Sequence, residues 1–196
     1  RRGIRADDSG GRPLSRTPPA RLLHALVTAA ATPGDPVPLL SLIKHPLLHC
    51  GLDRAAARRA AGVVELVALR GGTGRPDILS LAGDFDLRAA RLNADRYAPA
   101  WFRRLHEQDL AEARRFVSGL AAAVAPLAAL ARVPEACLSE IARASVAALE
   151  DAARDVDGGL GALYRGDAGE TLAGFLRELV GTRSDFAFAA RDWPSI

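Results

Sequence analysis

His45 and His49 stand four residues apart in KHPLLHCG, the spacing at which two imidazoles on one helix can share a metal ion. Pro46 lies between them and breaks the helix such a pair needs, and no carboxylate or third ligand stands nearby. Lys44, the only lysine among 26 basic residues, precedes His45 directly. No glycine-rich loop comes before it, so it is not the lysine of a nucleotide-phosphate cradle. Arg54, Arg58 and Arg59 open the next segment as a basic cluster at a helix start, the end where the macrodipole disfavours positive charge. A plain solvated face is the simplest reading of this cluster; if the chain touches DNA, Lys44, Arg54, Arg58 and Arg59 are the candidate phosphate contacts. Cys50 and Cys137 are too few for a disulfide framework or a zinc site. GGTG at 71–74 lacks dinucleotide-binding spacing and follows a helix rather than a strand. There is no G-x-S-x-G elbow. The pairs Asp7-Asp8 and Asp84/Asp86 read as loop residues, and no catalytic set assembles. Neither cofactor nor metal is expected.

These residues must be held by helices. Alanine and leucine dominate and only 5% of residues are aromatic, which favours helix over sheet. Asp35 caps a helix with Pro36 at its first position, Leu39, Leu40, Leu42 and Ile43 bury it, and Pro46 stops it. Before it, Thr17 caps a helix whose stripe is Leu22, Leu23, Leu26 and Val27, ended by Pro33-Gly34. After it, Asp53 caps a helix over 54–70, and Gly51 is a left-handed stop. Residues 71–86 read as a loop with one turn near Ile78–Leu81, then short helices follow at 87–93 and 98–107. Trp101 lies beside Arg103 and Arg104, an arrangement that could stack a base or pack a core. A long helix runs from Asp109 to about Arg132 with a kink at Pro126, then one over 135–153 opened by Pro134, and a last one over 168–180 capped by Asp167. The tail to Ile196 reads as a loop, with Asp192-Trp193-Pro194 as the cap of a further helix. No period-2 stretch predicts a sheet.

The domain layout is a short extended lead-in over 1–16 and a helical domain over 17–196, so the fold class is mainly α. Net charge is +3 and pI about 9.4, which permits a nucleic-acid partner without requiring one. GC-rich coding bias is an alternative source of the arginines. No apolar run looks like a membrane span, because charged residues or proline interrupt each one. Few cysteines and no signal peptide make a reduced cytoplasmic setting the default. The chain contains no methionine, which suggests that Arg1 is an internal position of a longer protein.

GIRADDSGGRPLSRTPPARLLHALVTAAA, PVPLLSLIKHPLLHCGLD and VVELVALRG, in that order, resemble the interior of AddB, a subunit of the bacterial AddAB helicase–nuclease. The family of alphaproteobacterial type carries similar DDSAG-x-PL…TPPG, LLALLKHPL and E-x-x-x-LRG elements. LYRGDAGETLAGFLREL is similar to the family's LW-x-GEAGE-x-L-x-x-FL-x-EL, and RDWP to its D-[YW]-P. Ala20 and Tyr164 stand where the family often has glycine and tryptophan. The resemblance implies an irregular helical domain like the 2B-type insertion of a superfamily-1 helicase, entered from a piece of the 2A-type subdomain around Ile4 to Leu14. It implies a non-catalytic module of double-strand-break repair, with DNA and an AddA-like helicase subunit as partners. The family's nuclease carboxylates, iron–sulfur cysteines and nucleotide-binding loop would lie outside Arg1–Ile196. A free-standing helical interaction domain without a DNA role, and a small metal-dependent hydrolase using His45 and His49, remain as alternatives.

Overall fold

The structure is a computed structural model and describes residues 13–70, 77–182 and 186–195. Most of the lead-in, the GGTG stretch and Asp7-Asp8 fall outside them. Pro13 is followed by a single 3-10 turn, Leu14–Arg16. Thr17 then precedes α1, Pro18–Ala31, but its hydroxyl donates back to the Leu14 carbonyl (2.6 Å) instead of capping the helix. The two prolines of the first turn need no N–H partner there, so the helix starts without a side-chain cap.

Two predicted caps form as expected. Asp35 accepts from the Val37 N–H (2.9 Å) at the start of α2, Pro36–Ile43. Asp53 accepts from Ala55 and Ala56 (2.8 and 2.9 Å) at the start of α3, Arg54–Val64. α3 does not run on to Arg70 as an α-helix. It widens into a π turn, Glu65–Leu69, closed by the Arg70 N–H on the Glu65 carbonyl (3.0 Å). The inserted residue takes everything after Glu65 out of register with the Arg54–Arg58 face.

Residues 81–86 are helix rather than loop. α4 spans Leu81–Ala94, with Leu81 and Phe85 buried and Ile78 packed below them. Gly83, Asp84 and Asp86 are weak helix formers, and burial against α5 outweighs them. The predicted helix at 98–107 is a 3-10 turn, Phe102–Arg104, and Glu107 belongs to α5, Glu107–Leu130. Asp109 acts from its third position by accepting the His106 N–H (2.8 Å). α6, Leu138–Ala153, starts later than Pro134 implies, because Ala136–Cys137 (β1) pairs antiparallel with Ala187–Phe188 (β2). Strands of two residues carry no periodicity, so this pair was invisible to pattern. α7 spans Gly166–Gly181. The tail folds back as a 3-10 helix, Ala190–Ser195, in which the Trp193 indole N–H donates to Ser145 (3.1 Å).

α5 is the central helix: α3, α4, α6 and α1 all pack on it. By length and composition α5 is apolar enough to cross a membrane, against the sequence expectation, and its apolar stripe from Ala113 to Ala128 is buried among the other helices. Alanines line the facing surfaces, among them Ala56, Ala60, Ala142, Ala148 and Ala152. Such small side chains let helix axes approach closely. The described chain is thus mainly helical, with a two-stranded sheet at one edge.

Candidate functional site

The segment between α2 and α3 is pinned by the end of α6. The His49 and Cys50 N–H groups donate to the Ala152 carbonyl (2.9 and 3.0 Å), and the Gly51 N–H to Arg154 (2.8 Å). These bonds satisfy carbonyls that a helix C-terminus leaves unpaired. The turn needs positive φ at Cys50 (49°) and Gly51 (77°), as Gly51's place in the sequence predicts. Pinned in this way, residues 44–49 form one wall of a cleft of about 520 Å³, and α3 forms the other.

Spacing decides what the α3 wall presents. Arg54, Arg58, Gly62 and Glu65 recur at intervals of four, four and three, so they share one face. Arg54 and Arg58 line the cleft, and among the described residues neither has a carboxylate within ion-pair distance. Gly62 is the floor: a Cβ there would meet nothing within 4 Å. Lys44 reaches in from the opposite wall and is held by Glu65 (2.7 Å), which also meets Arg70 at 3.8 Å. Arg59 lies outside the cleft and turns to Glu112 of α5 (3.4 Å). Three of the four candidate cations therefore converge, two of them without an acidic partner.

His45 and His49 both line the cleft. The His45 Nδ1 accepts the Leu47 N–H (3.3 Å). Among the described residues no group of three His, Cys, Asp or Glu side chains is placed to hold a metal ion. His49 is buried at 6% exposure, and among the described residues neither of its ring nitrogens has a hydrogen-bond partner. Burial pushes the Cys50 thiol up to about 12, so it is not a nucleophile at neutral pH. Asp53 is held below the usual carboxylate range by the Ala56 and Ala55 N–H groups.

Burial, with help from the Arg21 charge and against a hydrogen bond to Pro18, brings His45 down to about 4. The folded chain then binds fewer protons than the unfolded chain between pH ~6.5 and about 4. Stability from this group is full above pH ~6.5 and lost as pH falls through that window. The ring is part exposed, so after solvent screening the loss is about 1–2 kcal/mol. Urea unfolding of wild type and His45→Asn at pH 7 and pH 4.5 checks this. The amide can still accept the Leu47 N–H but does not titrate, and the variant loses less stability on acidification.

A second groove, of about 430 Å³, was not legible in the sequence. Trp101 lines it with Arg70, Arg88 and Arg91. Its sequence neighbours do not take part: Arg103 donates to the Ala98 carbonyl (2.9 Å). Arg88 and Arg91 are one turn apart on α4, inside the helix expected at 87–93, so their shared face could be counted from the sequence, whereas their meeting with Trp101 in one groove depends on packing. Comparison of the chain with protein-family models, with curated proteins and with solved structures finds no match in any of the three.

Proposed function

We propose that the chain is a non-catalytic helical module that contacts nucleic-acid phosphates through the cleft between α2 and α3. The observation that carries this is the convergence of Lys44, Arg54 and Arg58 on an open glycine floor, with neither arginine ion-paired among the described residues. A guanidinium without a carboxylate keeps its donors for an incoming anion. Such contacts position a nucleic acid without reading its sequence. Ordered resemblance along nearly the whole chain supports the finer reading. In it the module is the 2B-type insertion of an AddB-like subunit in double-strand-break repair, shaping the DNA path and packing on an AddA-like helicase subunit.

Two variants test the cleft by different routes. Arg54→Gln/Arg58→Gln removes the charge and is expected to weaken DNA binding about ten-fold or more at low salt. Gly62→Leu leaves the charge in place and extends into the floor from a position where a Cβ meets nothing within 4 Å. It is expected to weaken binding with no loss of melting temperature. Binding that survives both changes, measured by fluorescence anisotropy with a labelled DNA, would sink the reading.

A further inference from the structure

The groove between the π turn and α4 differs from the first cleft in having an indole in its wall. Arg70, Arg88 and Arg91 line it together with Trp101, and among the described residues no carboxylate does. The Arg88 guanidinium donates to the Arg70 carbonyl (3.0 Å), which fixes its place at the rim. Arg70 reaches Glu65 only at 3.8 Å. Arg91 has no ion pair and no hydrogen bond among the described residues. Trp101 is part buried, with its ring perpendicular to Phe102 at 5.8 Å.

Three guanidiniums with so little compensation make a local positive field, which suits an anion. A phosphate by itself would need no indole, and an apolar ligand would need no arginines. A planar ring carried on a phosphate chain uses both. In a duplex the bases are stacked on one another and hidden from a side chain; in a single strand each offers a free face. Glu65 ties the two sites together, since its carboxylate meets Lys44 at the first cleft and Arg70 at the second groove.

We propose that Trp101 stacks an unpaired base of a single-stranded nucleic acid whose flanking phosphates are held by Arg70, Arg88 and Arg91. This rests on the nucleic-acid reading of the first cleft but uses separate residues, so the two can fail separately.

The test uses the 196-residue chain with oligothymidylate and a duplex of equal length. In a Trp193→Phe background, oligothymidylate quenches the fluorescence of Trp101 and the duplex does not. Trp101→Leu lowers single-strand affinity roughly ten-fold, and Trp101→Phe keeps most of it because a smaller ring still stacks. Arg91→Gln, which breaks no described contact, lowers single-strand affinity even if Trp101→Leu fails to fold. Binding that depends on Arg54 and Arg58, yet shows no quenching and ignores Trp101 and Arg91, overturns this inference and leaves the first cleft standing. Failure to bind either nucleic acid overturns both.

Discussion

Gly169→Ala is expected to destabilise the chain by about 3 kcal/mol, enough to lower its melting temperature by several degrees. Gly169 lies in the first turns of α7, and a Cβ there would come within 2.4 Å of the Tyr164 carbonyl carbon and 2.6 Å of its Cα. Backbone cannot rotate away as a side chain can. Tyr164 is also fixed from two sides: its N–H donates to the Leu160 carbonyl (3.2 Å) and its hydroxyl to Glu150 of α6 (2.8 Å). Its neighbour Leu163 is buried at 1% exposure. Alanine is worth up to about 1 kcal/mol more than glycine in a helix, which offsets only part of the clash. Gly174 in the same helix is the control, since a Cβ there meets nothing within 4 Å. Gly174→Ala is expected to stabilise by about 0.5–1 kcal/mol. Opposite signs for one substitution in one helix, read by urea unfolding, check the packing of α7. A neutral Gly169→Ala would contradict it.

Phe116→Ala is expected to cost about 3–5 kcal/mol. Phe116 is fully buried on α5, the helix against which most others pack. The surfaces around it are rich in alanine, which contributes little apolar area per residue. The few large buried side chains therefore carry much of the packing, and a cavity at Phe116 cannot be refilled by small, stiff neighbours. For a chain with stability on the order of 5–15 kcal/mol, that is a large share. Phe175 on α7 is 48% exposed, and Phe175→Ala is expected to cost less than about 1 kcal/mol. Equal losses at the two positions in chemical denaturation would contradict the assignment of α5 as the central helix.

Features set by a few neighbouring residues were legible in the sequence. The Asp35 and Asp53 caps, the Gly51 turn and the stripe of α1 all follow from side-chain chemistry within one or two turns. Features set by distant contacts were not. α4 begins at Leu81 against poor local propensity because Phe85 finds the core. The strand pair joins residues some fifty positions apart in the sequence, and the tail is ordered by Trp193 reaching Ser145. The site divides in the same way. Arg54 and Arg58 could be put on one helix face near Lys44 by counting. That Arg59 serves α5 through Glu112, that Glu65 holds Lys44, and that Trp101 lines one groove with arginines from α4 all depend on how α3, α4 and α5 pack.

Salt dependence of DNA affinity tests the central claim most directly, because each phosphate neutralised by the chain releases counterions. Wild type and Arg54→Gln/Arg58→Gln would be titrated with one DNA across a series of salt concentrations. If the two arginines contact phosphates as proposed, the slope of log affinity against log salt falls by about 1–2 in the variant. Parallel lines with the same slope would contradict the account, since the cleft would then hold no phosphate.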